Sequence, residues 1–353
     1  MRGKTMKVAQ LLEVPKKIDV VEMPDPEISE TEFLVKMRAC SLCYTDVKAC
    51  MHGRHFYIEL YGLPWVPGHE MAGEIVEVGR KVEQLAVGQR VAVAPFNPCC
   101  SCPPCKSGAY RFCFKAPDSF VQPGGFAEFF KVPGDGAALR TVVLPDEFSY
   151  ESASLIEPVA CCLSAVRRTG IPIGSDVAII GAGPMGLILM QLSKAGGAAR
   201  VFMIDINEDR LSQAVEFGAD EVINAETGDA NLALRLKTGF MGADVVFEAV
   251  GSADTYRLAL DLARGGGRVN LFGGMPSGST VEIKSDMLHY QELTITGTSS
   301  FSPDDYQRAF KLIETGRVDV ERLITHRFDR LDGVLEALEM TLRKEGMKKI
   351  VLL

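Results

Sequence analysis

Nowhere in its 353 residues does this chain hold an apolar run near the roughly 18 residues of a membrane-spanning helix, so no membrane partner is expected. Basic charge is in deficit: 38 Lys and Arg stand against 46 Asp and Glu, for a formal net charge of −8. Nucleic acid and anionic lipid both select a basic face, and neither is an expected partner. Internal repeats and low-complexity tracts are absent, which excludes a repeat array. The opening MRGKTMKVAQLLEVPKK has no apolar stretch of leader length. The expected compartment is therefore the cytoplasm, with Met6 an alternative start to Met1 because a strand-like run begins there. Cysteine, by contrast, is plentiful. Ten cysteines in a reducing compartment need burial, reactivity or metal, not disulfides.

Length predicts two or three domains of about 150 residues. The first 150 residues read as short strands separated by Pro and Gly (VAQLLEV, FLVKMRAC, MAGEIVEVG, QRVAVAP, GGFAEFFKVP, TVVLP), and helical periodicity is scarce there. From about residue 155 strands and helices alternate: SDVAIIGAG, PMGLILMQLSKAGG, RVFMID, NEDRLSQAVEFG, EVIN, DANLALRLKTG, ADVVFEAVG, SADTYRLALDLARGGG, RVNLFGG. That alternation implies βαβ units and a doubly wound parallel sheet, hence an α/β class. Two amphipathic helices and the strand KKIVLL close the chain.

Gly181-Ala182-Gly183-Pro184-Met185-Gly186 closes a strand and opens a helix, the context that gives a GxGxxG pattern weight as a dinucleotide site. Gly181 permits the turn, Gly183 lets backbone approach a pyrophosphate, and Gly186 lets helix pack on sheet. The phosphates would sit on the helix N-terminus. Asp205 ends the next strand. Its carboxylate can accept from the adenosine ribose and would repel a 2′-phosphate, favouring NAD over NADP. Arg210, further on, can lie against the adenine.

Cys99, Cys102, Cys105 and Cys113 have the spacing of a closed tetrahedral zinc shell, and closed shells are structural. A lobe this short has no apolar core of its own, so the metal would supply its order. Cys100 reads as a bystander. A second set, Cys43, His69 with Glu70, and Glu157, can hold zinc with an open, catalytic fourth position. Cys40 stands three before Cys43, which leaves a redox CxxC as an alternative. Glu157 can equally cap a helix.

These residues resemble, from end to end, the zinc-dependent medium-chain alcohol dehydrogenases. The signs are Cys43-Tyr44-Thr45-Asp46, Gly68-His69-Glu70, the four-cysteine lobe, Glu157-Pro158, and GAGPMG with Asp205. Within that family the chain looks closest to the sorbitol (polyol) and threonine dehydrogenase branch, with His52-Gly53-Arg54 and Thr325-His326-Arg327-Phe328 on the polyol side. The resemblance implies a mostly-β GroES-like catalytic domain from residues 1–156 and 296–353, carrying the lobe at about 97–114, with a Rossmann domain inserted at 157–295. It implies a catalytic zinc on Cys43, His69 and Glu157, with Glu70 the neighbouring acid that ligates in some members. It makes Asp46 the carboxylate that orients the ligating His, and Thr45 the hydroxyl that relays the substrate proton. It places Met185, Asp205, Arg210, Val250, the Phe272-Gly273-Gly274 turn and Thr298 at the cofactor, with Lys349 reaching toward its pyrophosphate.

The sequence also departs from the family. Lys48 stands where many members have the His that passes the proton to solvent, and His52 is a substitute. Ala49, Cys50 and Ser300 stand near positions where polyol dehydrogenases carry gripping residues. The implied reaction is hydride transfer from a secondary alcohol or polyol to NAD. Alternatives are a threonine 3-dehydrogenase-like or sugar-phosphate polyol activity, and, in a different class, a non-catalytic NAD- and zinc-binding protein. A homo-oligomer, dimer or tetramer, is implied as well.

Overall fold

The computed structural model describes residues 5–53, 56–133 and 137–353; Met1 and Arg54 lie outside them. Two compact units share the chain: one holds residues up to Pro158 with Ser302–Glu314 and Asp319–Leu353, the other Val159–Phe301 with Thr315–Val318. No helix among the described residues is long and apolar enough to cross a membrane.

The first unit opens with a hairpin of β1 (Thr5–Glu13) and β2 (Lys17–Pro24). Then come β3 (Glu32–Ser41), β4 (Glu70–Val78), β5 (Arg90–Val93), β6 (Phe129–Pro133) and β7 (Thr141–Val143). Strand β3 is buried almost continuously, because it is paired on both edges and packed on the main core with Phe33, Val35 and Met37. A helix at Tyr44–His52 interrupts a region expected to be mostly strand. Its start is local chemistry. Cys43 is the N-cap, its Sγ accepting from the Thr45 N–H, and the Asp46 carboxylate reaches back to the Cys43 N–H at 3.1 Å.

The second unit is a parallel sheet of β8 (Asp176–Ile180), β9 (Arg200–Asp205), β10 (Glu221–Asn224), β11 (Ala243–Glu248), β12 (Ala263–Leu271) and β13 (Thr294–Gly297). Their order is β10-β9-β8-β11-β12-β13, so chain direction across the sheet reverses between β8 and β11. Ligands of such sheets bind outside the carboxyl ends of the strands at that switch point. Two boundaries differ from expectation. The helix after Ser252 stops at Leu262, and the Gly265–Gly267 stretch belongs to β12. Residues 296–301 cluster with the parallel sheet, since β13 hydrogen-bonds to β12.

The chain then returns to the first unit with β14 (Ile324–Phe328) and β15 (Lys348–Leu352). Strand β15 pairs antiparallel with β3, Ile350 opposite Ser41, while Ser41 is also opposite Glu70 on β4. This register delivers Cys43, Glu70 and Lys348 to one end of the sheet.

Candidate active site

Cys43, His69 and Glu70 each bring a ligand atom within 4.8 Å of the others. Cys43 arrives from the end of β3 and His69-Glu70 from the start of β4. Asp46, fully buried, ties the two segments: its Oδ1 accepts from the Gly68 N–H at 3.1 Å and faces His69 Nδ1 at 3.2 Å. Gly68 must be glycine here (φ +100°), since a Cβ would stand 2.8 Å from the Phe126 backbone nitrogen. Burial alone would raise the Asp46 carboxyl, but the His69 charge and the bonds from His69, Cys43 and Gly68 hold it below its usual range. Burial would lower His69, yet the Asp46 and Cys43 charges lift it well above normal. Such a partner fixes the ring and strengthens it as a ligand.

Glu70 Oε2 accepts from Lys348 Nζ at 2.5 Å, and Lys348 also donates to the Leu42 carbonyl at 3.2 Å. Glu70 Oε1 is buried with no hydrogen-bond partner among the described residues. A buried carboxylate oxygen left open beside a thiol and an imidazole fits a zinc ion, whose preferred donors are S, N and O. Glu157 stands outside the three-residue group, so the carboxylate of the cluster is Glu70. Glu157 is buried at the start of the Ile156–Thr169 helix, and its charge is felt by Lys348. Lys348 is a site residue that the sequence did not single out. Its neighbour Lys349, placed by resemblance at the pyrophosphate, is buried and donates to the Met347 carbonyl at 3.0 Å. Alternate strand residues face opposite sides, and only the β3–β15 register shows which lysine faces the cluster.

Thr45, Lys48 and His52 fall at i, i+3 and i+7 of one helix and so share a face. They run from the cluster end to an exposed His52, about 10 Å at 1.5 Å per residue. Lys48 Nζ lies 5.5 Å from the centre of the Tyr44 ring. On the same helix Ala49 and Cys50 are fully buried in the core. Cys40 is also fully buried, and burial followed by the Asp46 charge pushes its thiol well up, which removes the redox CxxC alternative.

The four lobe cysteines converge in the same way, with ligand atoms within 4.8 Å of one another. Cys102 Sγ stands 3.4 Å from Cys105 Sγ and 3.9 Å from Cys113 Sγ. Thiolates about 2.3 Å from a tetrahedral zinc lie about 3.8 Å apart, so this is zinc spacing and not a disulfide. Bonds from Ser101 and the Cys102 N–H draw the Cys99 thiol down to about 5.

In the second unit, the helix Pro184–Ala195 begins at Gly183 with Pro184 in its first turn. A Cβ on Gly186 would stand 1.8 Å from the Gly181 carbonyl, and one on Gly181 (φ +102°) would meet Val250 at 2.9 Å. At Gly183 the only atom of the described residues within 4 Å of such a Cβ is Arg210 Nη1, at 3.8 Å. Space is therefore open over Gly183 alone, where a pyrophosphate would approach, and Arg210 borders that turn. Asp205 sits beside it, Oδ2 accepting from the Ala182 N–H at 2.7 Å and Oδ1 from the Ile206 and Asn207 N–H groups. Glu248, unflagged by any motif, ends β11 fully buried. Its Oε1 accepts from Val250 and Gly251, at 2.9 and 2.8 Å, while its carbonyl accepts from Phe272 and Gly273. The turns after β11 and β12 thus hang on one residue. Thr298, nearly buried, accepts from Asn270 Nδ2 at 3.0 Å.

The chain is similar to known proteins over nearly its whole length. The family profile "Alcohol dehydrogenase GroES-like domain" matches residues 29–145, and "Zinc-binding dehydrogenase" matches residues 184–315. Sorbitol dehydrogenase of Bacillus subtilis (strain 168) is 32% identical over 349 residues, 97% of this chain and 96% of that protein. Sorbitol dehydrogenase of Bombyx mori is 31% identical over 353 residues, 98% of this chain and 99% of that protein. Among solved structures, 2R,3R-butanediol dehydrogenase from Bacillus subtilis matches with a TM-score of 0.87 at 27% identity, over 98% of this chain and 99% of that one.

Proposed function

This chain belongs to the zinc-dependent medium-chain alcohol and polyol dehydrogenases, and on that premise we propose that it oxidises a secondary hydroxyl of a polyol to a ketone with NAD as acceptor. Per turnover the carbinol carbon gives up a hydride to the nicotinamide and the hydroxyl gives up a proton, leaving ketone, reduced cofactor and one proton. The observation that carries this reading is the open Glu70 Oε1 beside Cys43 and His69 in a chain that also has a dinucleotide turn.

Cys43, His69 and Glu70 would hold the reactive zinc, while Glu157, the carboxylate that the family resemblance adds, stands outside their group. A zinc ion there supplies Lewis acidity, lowering the pKa of a bound hydroxyl. Asp46 fixes the His69 ring, and Lys348 balances the Glu70 charge. Thr45 would relay the substrate proton, its hydroxyl accepting that proton as it releases its own, and the Lys48–His52 face lies on the same side of the helix to pass it on. Cys99, Cys102, Cys105 and Cys113 would hold a second, structural zinc. Asp205 is the basis for NAD over NADP, because its charge opposes a 2′-phosphate. Ten unbridged cysteines suit a reducing, cytoplasmic setting. A second copy of the chain is the expected partner: β13 is the last strand of its sheet, and Tyr290 and Leu288 just before it are exposed. A monomer in sedimentation would overturn that part.

The deciding experiment is a panel of polyols, inositols, 2,3-butanediol, threonine and polyol phosphates with NAD and NADP, reading reduced nicotinamide. Polyols with NAD should react fastest. Preference for threonine or for a phosphate ester would replace the polyol reading. Silence toward every alcohol with zinc bound would favour a non-catalytic binder. Cys43→Ala should abolish turnover and leave the thermal melt of the fold in place; retained turnover would sink the cluster assignment.

A further inference from the structure

Asn270 belongs to none of the motifs. It lies on β12, fully buried, one residue before the strand's last. Its Nδ2 stands within hydrogen-bond distance of three hydroxyls: Thr169 Oγ1 at 2.9 Å, Thr298 Oγ1 at 3.0 Å and Thr296 Oγ1 at 3.1 Å. Thr169 ends the helix Ile156–Thr169, Thr296 is opposite Asn270 on β13, and Thr298 follows the last residue of β13. Thr169 gives its own hydrogen to the Ala165 carbonyl at 2.8 Å, and Thr296 gives its hydrogen to the Val269 carbonyl at 3.2 Å. Both can then only accept from Asn270, which fixes the amide with its nitrogen toward them. Thr298 makes no other hydrogen bond among the described residues. Its oxygen is held by Asn270, and its hydrogen is left to donate elsewhere.

Packing alone does not call for an amide there. An apolar residue would avoid the cost of burying one, and Asn270 Oδ1 is buried with no hydrogen-bond partner among the described residues. The loop beyond is under strain as well. Ser300, two residues past Thr298, has φ +74° without being glycine, and its Oγ is also buried and unpartnered. Strained backbone of this kind persists where the surroundings over-determine it, and it gathers at ligand sites. Position in the sheet says which ligand. The Gly181–Gly186 turn and Asp205 follow β8 and β9, on one side of the switch point, while β11, β12 and β13 lie on the other. A dinucleotide across such a crevice places one nucleotide on each half. With the pyrophosphate at the glycine turn and the adenosine at Asp205, the ends of β12 and β13 are left to the nicotinamide. That ring carries one hydrogen-bonding group, a carboxamide, whose oxygen accepts.

We infer that Asn270 is a positioning residue for the nicotinamide: it holds the Thr298 hydroxyl by its oxygen, so that the free hydrogen donates to the carboxamide of the bound cofactor. The inference rests on the dinucleotide reading of the Gly181–Gly186 turn. It gives a buried amide, otherwise a cost to the fold, a task at the reacting end of the cofactor.

The test uses the full-length, metal-loaded protein, with NAD and ADP-ribose as probes and calorimetry as the readout. ADP-ribose keeps both riboses and the pyrophosphate and lacks the nicotinamide. In Asn270→Leu, close in shape and without hydrogen-bonding groups, the NAD Kd should rise about tenfold and the ADP-ribose Kd should stay within about twofold. The variant should melt close to wild type, because the unpartnered amide oxygen is removed together with the donor. Thr298→Val should repeat the NAD loss. The double variant should bind NAD no worse than the weaker single one, since both cut one path. Equal rises for NAD and ADP-ribose would make Asn270 a structural residue and overturn the inference. An unchanged NAD Kd, or multiplicative losses in the double variant, would overturn it too. Should Asn270→Leu not fold, Asn270→Ala and Thr298→Val read the same pair of constants. A wild type that binds neither probe overturns the dinucleotide reading and this inference with it; a wild type that binds both, with variants that shift neither, overturns this inference alone.

Discussion

At the scale of single residues, the glycine-rich turn separates structure from binding within six positions. A methyl on Gly186 meets the Gly181 carbonyl at 1.8 Å, whereas a methyl on Gly183 meets only the tip of Arg210 at 3.8 Å. Gly186→Ala should therefore destabilise the fold by about 3 kcal/mol through forced backbone movement. Gly183→Ala should melt within about 0.5 kcal/mol of wild type. Its NAD KM should rise at least about tenfold, because the added methyl fills the space of the pyrophosphate. Thermal melts and cofactor titration of the two variants read both effects. Equal effects of the two substitutions on stability would contradict the separation. Lys348 and Lys349 make a similar contrast: adjacent and chemically alike, they differ only in the face of β15 that each occupies.

At the scale of elements, function is attached to the ends of strands. The C-terminal end of β3 carries Cys43, and the first residue of β4 is Glu70. The end of β8 leads to Gly181, the end of β9 is Asp205, and the end of β11 is Glu248. Glu248 is the most economical of these, since one buried carboxylate and one carbonyl fasten both turns beside the switch point. Glu248→Ala would strand the Val250 and Gly251 N–H groups, at about 1–3 kcal/mol for each buried donor left unpaired. A denaturant melt should show that loss, accompanied by weaker cofactor binding. An unchanged melt would mean that the turns hold themselves. The helix Tyr44–His52 teaches a related lesson. Its apolar periodicity is weak, and what starts it is the reciprocal bonding of Cys43 and Asp46, two residues that also serve the cluster.

At the scale of the whole molecule, two candidate metal centres of different character share the first unit. The lobe is a closed thiolate set in a segment whose small cluster is mostly its own cysteines with Ala116, Phe96 and Tyr110. Without an apolar core, its order depends on the ion. Cys105→Ser should therefore lower the melting temperature clearly, readable by scanning calorimetry with metal analysis, and should change stability more than chemistry. If that variant unfolds no more easily than wild type, the structural-zinc reading fails. The reactive cluster is the reverse case, built from three strands whose framework packs on the main core. Its loss should cost turnover before stability.

Much of this was legible in the chain itself. The glycine turn, Asp205 and the lobe cysteines are each local: a few residues of fixed spacing impose the geometry, so the sequence by itself determined the dinucleotide turn, the four-thiolate set and the α/β alternation. The cluster was only half legible. Cys43 and His69 stand out by type, but Glu70 and Glu157 compete on paper, and it is the fold that brings the Glu70 carboxylate within 4.8 Å of the other two ligand atoms. Ala49 and Cys50 face the core for the same kind of reason, a helix face set by what packs on it. Lys348 and Glu248 carry no motif at all. Their roles depend on hydrogen bonds between segments far apart in the chain, and only tertiary structure, which sets strand register and burial, decides which distant groups meet.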